Sequence, residues 1–259
     1  MSPENIKFSF PDKNVLVTGG TSGIGEAVAR AFANAGANVV FTGRDMRRGG
    51  EVLDIINSGS GRCAFIPGDL TESEFCDSLV QQAVQSMGSL DVVVNCAGVI
   101  HHAVAGETTD DQWNQTMNVN VNATFYVCRA ALSMMMERGG VILNIASDAG
   151  LSASSHLAAY NASKGAVVQL SRSMARDYGK YNIRVIPICP GDVDTPMLRG
   201  EFKQLGVSAE EGLHESAQGV PLQRVCTPLE VAHLVLYAAS DSAAFMSGYP
   251  LMLDAANRA

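Results

Sequence analysis

The residues that decide the fold are 14–25, which read NVLVTGGTSGIG. The first five are mostly apolar and β-branched, as in a short buried strand, and glycines dominate the run that follows. Glycine lets the backbone turn tightly and approach a pyrophosphate, whose charge is stabilised at the N-terminus of the next helix. A buried strand that leads through such a turn into a helix predicts a dinucleotide-binding site, with a plain tight turn as the alternative.

Strand and helix patterns alternate along the rest of the chain. Nearly continuous apolar runs predict strands at residues 14–18, 38–42, 63–67, 90–95, 140–146, 184–189 and 249–253. Apolar residues at three- and four-residue spacing predict helices at residues 24–35, 46–57, 72–87, 110–137, 157–179 and 228–240. This order predicts an α/β fold, a single doubly wound Rossmann domain of about seven parallel strands with helices on both faces.

Composition excludes several classes of partner. The net charge is −8 at pH 7, the isoelectric point is near 5.1, and the basic residues are scattered, so we expect no nucleic acid and no membrane as partner. The first residues lack the pattern of a secretion signal, and no apolar run reaches the ~18 residues of a membrane helix. Six cysteines without a CxxC pair indicate reduced thiols in a cytoplasmic protein. The histidines and cysteines lack zinc-site spacing, so no metal is predicted.

The glycine spacing TGxxxGxG resembles the short-chain dehydrogenase/reductase family rather than proteins with GxGxxG. Further motifs follow in the order of that family. PGDL (residues 67–70) comes after the third strand, and NCAG (residues 95–98) resembles the family's NNAG with Cys96 in place of the second asparagine. Residues 190–196, with Pro-Gly and Thr-Pro, follow the sixth strand. The resemblance therefore covers nearly the whole chain.

This resemblance implies an oxidoreductase with a nicotinamide cofactor held by the matched motifs. The residues implied to bind the cofactor are Gly19, Thr21, Ser22, Gly23, Ile24, Gly25, Arg44, Asp69, Leu70, Asn95, Ala97, Gly98, Tyr160, Lys164, Pro190, Gly191, Val193 and Thr195.

Residues 160–164, YNASK, place a phenol and an amine four residues apart, and therefore on one face of a helix. By themselves, Tyr160 and Lys164 are more typical of an ordinary helix pair, a partly buried ring beside a solvated charge. In the family that the chain resembles, YxxxK is the catalytic pair. The resemblance implies that Tyr160 is the acid and base, and that Lys164 favours its phenolate and holds the nicotinamide ribose.

Two further catalytic residues are implied by the same resemblance. Ser147, thirteen positions before the tyrosine, orients the substrate oxygen. Asn120 positions a water that connects Lys164 to solvent, although Asn118 and Asn122 lie close to it in sequence.

The residues after the second strand bear on the choice between NADP and NAD. Gly43 stands where NAD-dependent relatives often carry an aspartate, and Arg44, which follows it, is a good phosphate ligand. Against this, Asp45 is adjacent, and Ser22 stands where many NADP-dependent relatives carry a second basic residue. We predict NADP (NADPH) as the favoured cofactor, with NAD not excluded.

The predicted function is hydride transfer between the nicotinamide cofactor and a small secondary alcohol or ketone. One alternative is a 3-oxoacyl-carrier-protein reductase, which the net charge of −8 disfavours because carrier proteins are acidic. Another is a non-catalytic dinucleotide sensor, which would not need Ser147, Tyr160 and Lys164.

Three segments are expected to shape the substrate pocket: residues 101–104, 152–156 and 196–220. The last is the one long segment outside the strand and helix rhythm, and we predict that it is a substrate lid. No repeat or linker divides the chain, so residues 1–259 are predicted to form a single dinucleotide-binding and catalytic domain. A homotetramer or homodimer is implied, although Asp254-Ala255-Ala256 replaces the family's DGG near a subunit contact.

Overall fold

The computed structural model describes residues 7–57 and 62–258, which include one sheet of seven parallel strands. The strands are β1 (Asn14–Thr18), β2 (Asn38–Gly43), β3 (Cys63–Pro67), β4 (Val92–Asn95), β5 (Gly140–Ile145), β6 (Ile183–Pro190) and β7 (Leu251–Leu253). Their order across the sheet is β3-β2-β1-β4-β5-β6-β7, and every neighbouring pair is parallel. The predicted doubly wound α/β fold is therefore confirmed.

Helices connect the strands in the predicted positions, with two differences. The α-helices among the described residues are α1 (Gly23–Asn34), α2 (Met46–Asn57), α3 (Ser73–Met87), α4 (Asp110–Met117), α5 (Ala123–Met135), α6 (Ala158–Tyr178), α7 (Pro196–Gln204), α8 (Ala209–Gln218) and α9 (Pro228–Ala239). The helix predicted at 110–137 is interrupted by a π-helical turn, Asn118–Asn122. The predicted lid segment, residues 196–220, contains α7 and α8.

Alternating residues of β1 face opposite sides of the sheet, because side chains along a strand point to alternate faces. Val17 packs into an apolar layer with α1 and α9, to which Phe32 and Val231 contribute. Leu16 packs into a second layer with α3 and α5, which contains Leu79. Helices therefore cover both faces, as the apolar strand sequences predict.

The carboxyl ends of all seven strands meet at one edge of the sheet. Strand order reverses between β1 and β4, and such a switch point opens a crevice between the loops that leave the strands. The loops after β1, β4, β5 and β6 carry the predicted functional residues. In residues 7–57 and 62–258, no helix is both long and apolar enough to cross a bilayer.

Candidate active site

The glycine turn after β1 packs directly against the loop after β4. Gly19 has a φ of 64°, and a Cβ added to it would lie 2.8 Å from the backbone nitrogen of Ala97. Only glycine tolerates both that conformation and that approach. The N-cap residue of α1, Ser22, makes no capping hydrogen bond with its side chain. The helix N-terminus therefore faces an open crevice, as a pyrophosphate requires.

A cleft along the carboxyl edge of the sheet collects most of the residues predicted to bind the cofactor. The predicted residues that line it are Gly19, Thr21, Ser22, Gly23, Ile24, Gly25, Arg44, Asp69, Leu70, Ala97, Gly98 and Thr195. The glycine turn, the loops after β2, β3 and β4, and the start of α7 all contribute. The residues present therefore fit a dinucleotide.

Asn95 is placed differently from these residues. Its side chain is buried under the cleft, where Nδ2 donates to Oδ1 of Asn144 at 2.8 Å and to Sγ of Cys128 at 3.3 Å. Asn144 in turn donates to Ser171 Oγ at 2.9 Å. The asparagine thus braces β4 against β5, and any contact of Asn95 with cofactor remains a prediction.

The structure gives a steric reason for the glycine at the end of β2. A Cβ on Gly43 would lie 2.7 Å from Cγ2 of Thr21, so a larger residue does not fit without movement. Arg44 is exposed at the rim of the cleft. Asp45 accepts a hydrogen bond from the backbone of Arg48 at 3.0 Å and pairs with its side chain at 3.4 Å.

A second cavity adjoins the cleft and contains three of the four predicted catalytic residues. Ser147, Tyr160 and Lys164 line it, together with the residues predicted after β6, which are Pro190, Gly191, Val193 and Thr195. Ile24, Gly98 and Met197 line both spaces. The two spaces are therefore continuous, and a ligand in one can reach the other.

Ser147 lies just beyond β5 and begins a short 3₁₀ turn, Asp148–Gly150. Its hydroxyl donates to Oδ1 of Asp148 at 3.0 Å and accepts from the backbone nitrogen of Ala149 at 3.2 Å. The serine also makes a hydrogen bond to the phenol of Tyr160. Its orientation is therefore determined by groups from two elements.

Tyr160 lies in the first turn of α6, and its surroundings favour the neutral phenol. Burial raises the pKa of Tyr160 well above its ordinary value, and the hydrogen bond between its phenol and Ser147 only partly opposes this. The negative charges of Asp148, Glu201 and Asp192 raise this pKa further. The group is therefore protonated at neutral pH and able to act as a proton donor.

Lys164 is buried, with 4% of its surface exposed, and its Nζ donates to the carbonyl oxygen of Ile145 at 2.9 Å. Burial lowers the pKa of Lys164 to about 8. Nζ lies 5.5 Å from the centre of the Tyr160 ring. From the sequence, we expected Lys164 to favour the phenolate, but the net shift of the phenol is in the opposite direction because burial and three carboxylates dominate it.

Asn120 lies in the π-helical turn and faces the interior, with 1% of its surface exposed. Its Oδ1 accepts from Val99 N at 2.8 Å, and its Nδ2 donates to Ser163 Oγ at 2.9 Å. Asn118 and Asn122 hydrogen bond to each other at 2.8 Å on the exposed side. Among the three asparagines, Asn120 is the one with a hydrogen bond to the loop after β4, and its catalytic role stays a prediction.

Charged side chains at the cavity were not recognised from the sequence. Asp148, Asp192, Glu201 and Arg258 line the space around the tyrosine. Burial and the charge of Asp192 raise the pKa of Glu201 to about 7. Asp148 was detectable from its position beside Ser147. No motif or spacing in the sequence pointed to Arg258, because its position at the cavity depends on the path of the chain after β7.

Of the segments expected to shape the pocket, residues 152–156 and 196–220 contribute to the lining of the cavity and residues 101–104 do not. Ser154 and Ser155 line the cavity, and so do Met197 and Leu198 of α7. His101 and His102 do not line it. Nε2 of His101 lies 2.8 Å from Oε1 of Gln115, and His102 stacks on His156 with ring centres 5.2 Å apart. In the described part of the chain, no three or more His, Cys, Asp or Glu side chains are grouped to hold a metal ion.

Comparisons with known proteins agree with this geometry. Residues 19–255 match the family described as enoyl-(acyl carrier protein) reductase. A 3β-hydroxysteroid dehydrogenase of Mediterraneibacter gnavus is 36% identical over 92% of this chain and 92% of its own length. A 3-oxoacyl-(acyl-carrier-protein) reductase of Chlamydia trachomatis is 32% identical over 94% of this chain and 96% of its own length.

A solved structure of a short-chain type dehydrogenase/reductase from Mycobacterium ulcerans superimposes with a TM-score of 0.90 at 30% identity, covering 96% of this chain and 91% of that one. The strand order, the glycine turn and these relatives agree, and the resemblance seen in the sequence is confirmed. The chain belongs to the short-chain dehydrogenase/reductase family and is an oxidoreductase that acts on CH–OH groups with a nicotinamide cofactor.

Proposed function

We propose that Tyr160 is the general acid and base for hydride transfer between a nicotinamide cofactor and a secondary alcohol or ketone. The observation that carries this proposal is the single cavity that Ser147, Tyr160 and Lys164 line where it joins the dinucleotide cleft. A substrate in this cavity lies within reach of the phenol and of a ligand in the cleft. A general acid must first lie within reach of the substrate, and only then does its pKa affect the rate of proton transfer.

The protonated phenol suits the direction of ketone reduction. A bound nicotinamide cofactor supplies the hydride, and negative charge develops on the substrate oxygen. Tyr160 donates its proton to that oxygen, while Ser147 turns its hydroxyl from Asp148 and donates a hydrogen bond to the same oxygen. For alcohol oxidation the phenol must first ionise, so the rate in that direction rises with pH. Below about pH 8, where Lys164 is protonated, its ammonium stabilises the phenolate from one side of the ring, and by family resemblance Lys164 also holds the ribose of the cofactor.

A small-molecule substrate fits the cavity better than an acyl group on a carrier protein. Leu157 and Leu198 contribute apolar surface, and Ser154 contributes a hydroxyl. Asp192 and Glu201 also line this space, and although Glu201, with a pKa of about 7, is only partly ionised at neutral pH, their negative charge opposes the approach of an acidic carrier protein. Screening alcohols and ketones, steroids included, by the change in nicotinamide absorbance tests the proposal. If the enzyme acts on 3-oxoacyl-carrier-protein alone, the proposed small-molecule substrate is wrong and the carrier-protein substrate takes its place.

NADP is the cofactor that the cleft supports best. Thr21 fills the space that an acidic side chain on residue 43 would need, and Arg44 brings a guanidinium to the rim. Asp45 is engaged by Arg48 and is less available to repel a phosphate.

We predict that the protein binds NADPH at least about tenfold more tightly than NADH, and that Arg44→Ala removes most of this preference. Titration of cofactor fluorescence measures both affinities. Arg47→Ala is the matched control, because Arg47 pairs with Glu51 on α2 at 2.6 Å and does not line the cleft. Equal affinities in the unmodified protein, or a preference that survives Arg44→Ala, would contradict the assignment.

We propose that α7 and α8 form the substrate lid. Met197, Leu198 and Glu201 bring one side of α7 to the cavity, and the side chain of Ser216 in α8 hydrogen bonds to Asp192. Both helices lie beyond the carboxyl end of β6, where closing segments are expected.

Hydrogen exchange in α7 and α8 is predicted to slow when cofactor and substrate are both bound. Ser216→Ala removes the contact to Asp192 and should speed the exchange of α8 in the free protein. Mass spectrometry of exchanged peptides measures this, with α3 on the far side as the internal reference. Unchanged exchange in the ternary complex would remove the lid role.

A homotetramer or homodimer remains our proposal for the assembly, together with a cytoplasmic location. Phe245 and Tyr249 precede β7 and are largely exposed, and Met252 within β7 is also exposed. Exposed apolar side chains grouped in this way mark contact surfaces. Sedimentation velocity would test the assembly, and a monomer at micromolar concentration would disprove it.

A further inference from the structure

Arg258 reaches back from the end of the described chain to the catalytic cavity. Its Nε donates to Oδ2 of Asp148 at 3.2 Å, and its second guanidinium nitrogen donates to Ser154 Oγ at 2.7 Å. The other oxygen of Asp148 accepts the hydroxyl of Ser147 at 3.0 Å. The guanidinium is therefore linked through Asp148 to Ser147, the serine that hydrogen bonds to Tyr160.

The turn that carries Arg258 is held in a strained backbone. Ala255 and Ala256 have φ values of 53° and 63°, a region that favours glycine. The Asp254 carboxylate accepts from the backbone nitrogen of Ala256 at 3.2 Å and from that of Arg258 at 3.0 Å. Strain of this kind persists where surrounding contacts enforce it, and it is often found at functional sites.

We propose that Arg258 is a positioning residue that acts through Asp148, fixing the direction of the Ser147 hydroxyl and offsetting negative charge beside Tyr160. This inference rests on the function proposed above for Tyr160. It assigns a role to the segment after β7, where Asp254-Ala255-Ala256 departs from the family's DGG.

The first part of the argument is geometric. The side chain of Asp148 is 10% exposed and that of Arg258 is 29% exposed, so their pair is partly shielded from water. A planar guanidinium holds both Asp148 and Ser154 at once, which fixes the plane of the carboxylate. That carboxylate in turn accepts a hydrogen bond from the Ser147 hydroxyl. Without the guanidinium, the nearly buried carboxylate of Asp148 competes more strongly with the substrate oxygen for the single hydroxyl hydrogen of Ser147.

The second part of the argument is electrostatic. The groups that face Tyr160 are Ser147 and Asp148 after β5, Lys164 on α6, Asp192 after β6 and Glu201 on α7. All three carboxylates raise the pKa of the phenol. Arg258 pairs with Asp148, and its charge also acts on Asp192. Without it, the phenolate is disfavoured further, and alcohol oxidation requires a higher pH.

The test compares four variants with the unmodified enzyme in the oxidation direction: Arg258→Met, Arg258→Lys, Asp148→Asn and the double variant Asp148→Asn/Arg258→Met. Arg258→Met should lower kcat/KM by about tenfold and move the rise of rate with pH upward by about half a unit to one unit, with the cofactor Kd within about twofold. Arg258→Lys keeps the charge and should restore most of the pH profile, but not all of kcat.

The double variant isolates the route through the carboxylate. Once Asp148→Asn has removed that charge, adding Arg258→Met should change kcat/KM by less than about twofold. Lys13→Met is the control, because Lys13 pairs with Asp91 at 3.9 Å at the amino edge of the sheet. It should leave rates and pH profile unchanged.

Several outcomes would overturn the inference. An Arg258→Met enzyme with the original pH profile and kcat/KM would show that the pair is only structural. If Arg258→Met lowers kcat/KM by the same factor in the unmodified enzyme and in the Asp148→Asn enzyme, Arg258 does not act through Asp148. If circular dichroism shows that Arg258→Met does not fold, the pH profiles of Arg258→Lys and Asp148→Asn test the inference instead. The function proposed for Tyr160 is tested separately. An active Tyr160→Phe enzyme would disprove that function. An inactive Tyr160→Phe enzyme together with an unaffected Arg258→Met enzyme would disprove only the role of Arg258.

Discussion

Tyr160→Phe is expected to lower turnover by about two to four orders of magnitude, while cofactor binding stays near that of the unmodified protein. The substitution keeps the ring in α6 and its packing, and it removes only the hydroxyl. That hydroxyl is the group that we propose as proton donor, and Ser147 is its hydrogen-bond partner. Steady-state kinetics on the substrate found by screening, together with cofactor titration, measure the two effects separately.

Tyr178→Phe is the matched control for this experiment. Tyr178 is the last residue of the same helix, and its ring lies 6.2 Å from that of Tyr181, away from the cavity. Deleting this hydroxyl should leave turnover within a few-fold of the original value. A Tyr160→Phe enzyme that behaves like this control would refute the proposed mechanism.

Lys164→Ala should reduce turnover by about two orders of magnitude and, unlike Tyr160→Phe, should also weaken cofactor binding by about tenfold. The reason is the double role proposed for the ammonium, which supports the phenolate and holds the ribose. Loss of the positive charge disfavours the phenolate, so the rise of oxidation rate with pH should move upward. Normal cofactor affinity in Lys164→Ala would exclude the second role.

A stability measurement separates the charge of Lys164 from its packing. Burial lowers the pKa of Lys164 from 10.5 to about 8, so between these values the unfolded chain binds more protons than the folded one. The free energy of unfolding therefore gains a contribution that increases as pH rises through this window. Lys164→Met keeps most of the apolar stem and lacks the charge, so it should lose this contribution. Denaturant unfolding at pH 7, 8, 9 and 10 would show the difference, and parallel curves for the two proteins would contradict it.

Much of the fold and part of the site follow from local patterns in the chain. The apolar runs at residues 14–18 and 63–67 coincide with β1 and β3, and β1 is buried along its whole length, as such a run predicts. The glycine turn and YNASK are also local. A left-handed φ at Gly19 favours glycine, and a four-residue spacing brings Tyr160 and Lys164 to one side of α6 wherever that helix packs.

Other features depended on contacts between distant segments. The π-helical turn that directs Asn120 to Val99 interrupts a sequence whose periodicity predicts one continuous helix. Asn95 matches a cofactor motif, yet its side chain pairs with Asn144, since the spacing of motifs does not specify which way a buried amide points.

The sequence by itself determined the order of strands and helices, the glycine turn and the spacing of Tyr160 and Lys164 on one helix, because each depends on residues within a few positions of one another. Only the tertiary structure decided the charge of the catalytic cavity. Asp148 and Arg258 are separated by 110 positions, and the loop after β5 meets the turn after β7 only once the sheet has formed. Burial, which sets the pKa directions of Tyr160 and Lys164, likewise arises from the packing of the whole chain.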